Sequence, residues 1–88
     1  MYYVYVIKNE IGERYIGFSK DLRQRIKSHN GGFNKSTKNH QWELVYYEAY
    51  KNEQDARKRE RTLKNSGQGR RFLWERIEKS LKQHCVRN

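Results

Sequence analysis

The chain has 88 residues, a 34% hydrophobic composition and a formal net charge of +10. That length holds one domain and excludes a multidomain enzyme. The longest apolar run, residues 2–7, is too short to span a bilayer and lacks the basic start and cleavage site of a signal peptide.

So large a positive excess repels itself unless an anionic partner is near. Nucleic acid is the first such partner, and an anionic membrane surface is the weaker rival. A soluble cytoplasmic protein with no membrane association is expected. The core must be small, and the aromatic residues (Tyr 7, Phe 3, Trp 2) supply most of its area. The single cysteine, Cys85, cannot form an internal disulfide, which suits a reducing compartment. His84 beside it does not complete a zinc set.

In chain order, residues 2–7 (Tyr-Tyr-Val-Tyr-Val-Ile) predict a strand buried on both faces. Residues 8–12 predict a five-residue hairpin loop, with Gly12 free to take positive φ. Residues 13–18 return as the second strand. This register sets Ile7 opposite Glu13 and Tyr5 opposite Tyr15, with both phenols on one face.

Ser19 is expected to cap a helix over residues 20–29, anchored by Leu22 and Ile26 and ended by Asn30-Gly31-Gly32. Residues 33–41 read as a polar, basic surface loop. Residues 42–50 form a third strand. Asn52 caps a second helix over residues 53–65, and Gly67 and Gly69 bracket a turn. Leu73, Trp74, Ile77 and Leu81 mark a third helix ending near Gln83. The order β-β-α-β-α-α predicts an α+β fold, a three-stranded antiparallel sheet flanked by about three helices. Residues 1–83 are expected to form the one domain, and residues 84–88 a tail. Charge is uneven: residues 51–88 hold 12 Lys/Arg against 5 Asp/Glu, so the C-terminal part presents much of the basic surface.

Four features bear on chemistry. Tyr5 and Tyr15 share a sheet face, as core aromatics or as phenols facing a site. A phenol is a poor base unless a cation lowers the cost of ionising it. Arg25 and His29 lie four apart on one helix side, where a guanidinium can grip phosphate and an imidazole can carry a proton. A solvated basic face is the plainer reading. Glu60 falls on the apolar stripe of Ala56 and Leu63, so its carboxylate must be paired or hold a metal. An i,i+4 ion pair with Lys64 is equally sound geometry. Gly17, inside a strand, marks a bulge or the close approach of other atoms.

Together these pieces resemble the GIY-YIG nuclease family. Tyr3-Val4-Tyr5 stands at the first motif, beginning with Tyr-Val where the family has Gly-Ile, and Tyr15-Ile16-Gly17 is the second motif unaltered. The segment Gly17-x-Ser19-x-Asp21-Leu22-x-x-Arg25-Ile26-x-x-His29-Asn30 is similar to the helix that follows in small members. Ala56-x-x-x-Glu60-x-x-Leu63-Lys64 is similar to the segment with the metal-binding glutamate. The likeness covers nearly the whole chain and points to small stand-alone members related to the N-terminal nuclease domain of excinuclease ABC, hence to DNA repair.

The resemblance implies a metal-dependent endonuclease acting on DNA. Glu60 would hold Mg²⁺ or Mn²⁺. Tyr5 would act as general base or orient the attacking water, and Arg25 would stabilise the phosphate. Tyr15 and His29 would position water or phosphate and help move the proton, while Gly17 would allow close packing. Lys35, Lys38, Arg57, Lys58, Arg61, Lys64, Arg70 and Arg71 are candidates for tracking the nucleic-acid backbone. The rival readings are a catalytically weak or inactive module that only binds nucleic acid, and an RNA-binding protein. RNA is less favoured because no RNP-type aromatic strand is present. A monomer or weak dimer is expected, with targeting left to a possible protein partner.

Overall fold

The computed structural model describes residues 1–32 and 38–83. Three strands, β1 (Tyr2–Asn9), β2 (Arg14–Ser19) and β3 (Trp42–Tyr50), form an antiparallel sheet in the order β2-β1-β3. The helices are α1 (Leu22–Asn30), α2 (Glu53–Asn65), α3 (Gly67–Arg76) and α4 (Glu78–Lys82). This is the expected α+β arrangement, with the last expected helix divided at Ile77. None of the described helices is long and apolar enough to cross a membrane.

β1 is the central strand, and Val4, Tyr5, Val6 and Ile7 are each no more than 1% exposed. Alternation sends their side chains to two separate cores. On one face, Val4, Val6 and Ile16 pack with Ala56, Leu63, Leu73, Ile77 and Leu81 from α2, α3 and α4. On the other, Tyr5, Ile7 and Trp42 pack with Tyr15, Leu22 and Ile26, so α1 alone covers that side.

The hairpin register corrects the expected one. Ile7 pairs with Tyr15 and Tyr5 pairs with Gly17, a shift of two residues. The cause is Asn9. β1 continues to it, and its backbone N–H donates to the Glu13 carbonyl at 3.0 Å. Its side-chain oxygen accepts from the backbone N–H of Ile11 (3.1 Å) and of Glu13 (2.9 Å). The loop is thereby shortened to three residues, with Gly12 at φ 86°. A shift by an even number keeps every side chain on its face, so Tyr5 and Tyr15 still share one.

Two boundary expectations also change. Asp21, not Ser19, caps α1, accepting from the Gln24 N–H at 3.1 Å. Ser19 is buried and bonds both backbone groups of Asp21, which holds the turn from β2 into α1. Gly67 and Gly69 do not bracket a turn but begin α3. Ser66 caps that helix, its hydroxyl accepting from the Gly69 N–H at 3.0 Å, which outweighs the poor helix propensity of glycine. β3 and α2, with its Asn52 cap, lie where the sequence places them.

A buried polar cluster ties β3 to α2. The Glu48 carboxylate accepts from Arg59 Nε (3.0 Å) and Nη2 (3.0 Å), from the Tyr46 hydroxyl (2.7 Å) and from the Tyr50 hydroxyl. Burial pushes the Glu48 carboxyl up, but the bonds from Arg59, Tyr50 and Tyr46 outweigh it and hold it below the usual range.

Candidate active site

The face of the sheet under α1 gathers the residues that the sequence singles out. Tyr5 stands opposite Gly17 on the neighbouring strand, and its ring lies over that glycine. A methyl group at position 17 would overlap the Tyr5 hydroxyl and ring, so only glycine leaves room for the phenol. The hydroxyl reaches α1, where it shares a hydrogen bond of 2.7 Å with His29 Nε2. Both side chains are 0% exposed. Tyr15 closes the group, with its ring 5.1 Å from the His29 ring and 6.5 Å from that of Tyr5.

The environment keeps this pair neutral. Burial drives the Tyr5 phenol well above its ordinary pKa, and neighbouring Tyr15 adds to the shift, while the Arg25 guanidinium opposes it. Burial also lowers the His29 pKa, helped by the positive charge of Arg25. At neutral pH the site therefore holds a protonated phenol against a neutral imidazole.

Beside the pair is an open cleft of about 750 Å³ between α1, the β2 edge and α2. Tyr15, Gly17, Arg25, Arg57 and Glu60 line it. Gln24 and Ser28 line it too, and sequence reasoning missed them. A signal for them exists, because positions 24, 25 and 28 fall on one side of a helix. Four of the five expected catalytic residues thus adjoin one another around Tyr5 and the cleft, and the fifth, His29, is reached through the Tyr5 hydroxyl.

Glu60 satisfies both of its sequence readings. It faces the cleft, and its Oε2 lies 3.1 Å from Lys64 Nζ. Among the described residues, no three His, Cys, Asp or Glu side chains gather to hold a metal. A single carboxylate at the edge of an open, polar cleft suits Mg²⁺ or Mn²⁺, which keeps several waters and completes its shell with phosphate oxygens. It does not suit a structural zinc.

The basic candidates divide. Arg57 lines the cleft, stacked 4.3 Å over Phe18 and bonded to Glu53 at 2.8 Å. Lys58 and Arg61 are exposed along α2 on a shallow groove shared with Arg57. Lys64 spans Glu60 and the Tyr15 ring, 5.6 Å from its centre. Arg70 turns inward, donating to the carbonyls of Leu63 (2.8 Å) and Lys64 (2.6 Å) at the end of α2. Arg71 is exposed beside Phe72, and Lys38 is exposed in the turn before β3. Lys35, His84 and Cys85 lie outside the described residues.

The sequence profile of the GIY-YIG catalytic domain matches residues 1–71. The chain belongs to the GIY-YIG family. That is a nuclease family, and it implies a nucleic-acid substrate. Among curated proteins, a UPF0213 protein of Staphylococcus epidermidis is 40% identical over 65 residues, covering 72% of this chain and 79% of that protein. UPF0213 proteins of Staphylococcus saprophyticus and Staphylococcus aureus are 38% identical over the same coverage. No solved structure matches the chain.

Proposed function

We propose that this GIY-YIG chain is a metal-dependent endonuclease that hydrolyses DNA phosphodiester bonds, acting as a single domain over residues 1–83. The observation that carries the proposal is the buried 2.7 Å bond between the Tyr5 hydroxyl and His29 Nε2, beside a cleft that Arg25 and Glu60 enter.

Glu60 would hold Mg²⁺ or Mn²⁺, and such an ion supplies charge against the scissile phosphate and the leaving oxygen. Arg25 grips a phosphate oxygen in the cleft. Tyr5 is too weakly acidic in its buried site to start as a phenolate. With His29 Nε2 unprotonated, the Tyr5 O–H donates to it. As water attacks the phosphorus, its proton passes to the Tyr5 oxygen while the Tyr5 proton passes to His29 Nε2. The phenol ends neutral and the imidazole ends positive. His29 is then the proton sink, and Tyr5 is the relay that touches the water. Tyr15 packs against both rings and fixes their orientation. Arg57, Lys58, Arg61 and Lys64 extend positive charge along α2 for the backbone.

Incubation with nicked and branched DNA plus Mn²⁺ tests this reading. Cleavage by the wild type that is lost in Glu60→Ala is expected; equal cleavage by both proteins would contradict it.

The 3.1 Å ion pair between Glu60 and Lys64 favours a second reading, a weakly active module that binds DNA with the carboxylate already neutralised. Salt-dependent DNA binding without cleavage of any substrate would support that alternative.

A further inference from the structure

We infer that the β3 side of the α1-covered sheet face is a second nucleic-acid contact, a stacking platform for unpaired bases made by Tyr3 and Tyr47 and rimmed by Arg23 and Lys27. The inference takes its ligand class from the nucleic-acid reading above but needs no cleavage.

β3 is an edge strand, and Tyr47 pairs directly with Tyr5, so its ring stands on the face that α1 covers. α1 has nine residues and spans roughly 13 Å. It buries Tyr5 and Ile7 but leaves Tyr47 52% exposed and Leu44, opposite Ile7, 38% exposed. Tyr3, one pair further along the same face, meets Tyr47 edge-on with ring centres 5.8 Å apart. The first family motif begins at this position, with tyrosine where the family has glycine.

The helix divides this surface from the cleft. Its Gln24, Arg25 and Ser28 line the cleft. Arg23, Lys27 and Asn30 fall at i, i+4 and i+7, one stripe on the other side. Asn30 fixes where that stripe points. Its side chain accepts from the Trp42 N–H at 2.6 Å and donates to the Trp42 carbonyl at 3.0 Å, at the start of β3. Arg23 and Lys27 are therefore on the β3 side. Both are exposed, and neither pairs with a carboxylate among the described residues.

Unpaired cations beside half-exposed aromatic rings complement a polyanion with free base faces. A protein partner fits less well, because the centre of such an interface is depleted of charge. A duplex keeps its base faces stacked inside, so only an unpaired segment can use the rings. With the cleft on one side of α1 and the platform on the other, the suited ligand is a duplex that carries a single-stranded segment.

Fluorescence anisotropy in EDTA tests this with three labelled probes of equal length: oligo-dT, an abasic strand with the same phosphates, and a duplex. The wild type should bind oligo-dT at least about fivefold tighter than the abasic strand, the effect of stacking one base. Tyr47→Ala should remove that preference and leave duplex affinity within about twofold, while Tyr47→Phe retains it. Replacing Arg23 and Lys27 with Gln should weaken both single-stranded probes and flatten their salt dependence. Equal wild-type affinity for oligo-dT and the abasic strand would overturn the proposal, and that comparison needs no variant to fold. So would equal loss for all three probes in a folded Tyr47→Ala protein, or a dimer in sedimentation that this substitution dissolves.

Discussion

The Tyr5 hydroxyl and His29 Nε2 meet at 2.7 Å in a place where neither side chain touches solvent. Two strands and a helix converge to make that contact: β1 supplies the phenol, β2 supplies the glycine beneath it, and α1 supplies the imidazole. Because burial raises one pKa and lowers the other, the pair is neutral, and a proton can cross it only when water delivers one at the phenol.

A pH dependence follows with a definite sign. Cleavage requires neutral His29, and burial holds the imidazole pKa below its usual value of 6.5. The rate should stay on its plateau as pH falls toward 6.5 and decline only below it. A pH profile of single-turnover cleavage checks this. An acidic limb centred above 6.5 would show His29 working as a cation instead.

Gly17→Ala should push the Tyr5 ring off its place, because the added methyl overlaps the hydroxyl. Overpacking of this kind costs about 1–3 kcal/mol of stability. Cleavage should fall at least tenfold, roughly what a lost general-base contact costs at minimum. Denaturant unfolding together with cleavage rates measures both effects.

Lys64→Gln tests the grip on Glu60. Removing the ammonium 3.1 Å from Oε2 frees the carboxylate for a cation. Half-maximal cleavage should then need less Mn²⁺ than in the wild type. An unchanged Mn²⁺ requirement would mean that Lys64 does not compete with the metal.

The Glu48 cluster predicts acid sensitivity of the fold. The Glu48 carboxyl is held below its ordinary pKa of 4.5, so its contribution is present above that value. It should be lost as pH falls through the lowered folded pKa. Glu48→Gln should cost about 1–3 kcal/mol at neutral pH, less than a fully buried pair, because Arg59 remains partly exposed. It should also flatten the acid limb of a plot of stability against pH, measured by urea unfolding.

Much of this arrangement is legible in the sequence, and the reasons differ by element. β3 and α2 are readable because each carries its own punctuation: a run of β-formers in one case, and an Asn cap followed by a polar helix in the other. The hairpin is misplaced by two residues because the Asn9 side chain stands in for backbone in the turn, which alternation alone does not reveal. The face assignment survives because the shift is even. The start of α3 is hidden because two glycines obscure a helix that depends on one serine hydroxyl. Glu60 is legible as a misfit on an apolar stripe, yet only the fold brings it to the same cleft as Arg25. The pairing of Tyr5 with His29, 24 residues apart, has no local signature at all.

The most direct test is Tyr5→Phe, which deletes one oxygen and keeps the ring packed. Single-turnover cleavage of a nicked or branched DNA in Mn²⁺ should drop by about 10²–10⁴-fold, the size of a lost proton-transfer group, with DNA affinity unchanged. Cleavage by Tyr5→Phe at the wild-type rate would contradict the account.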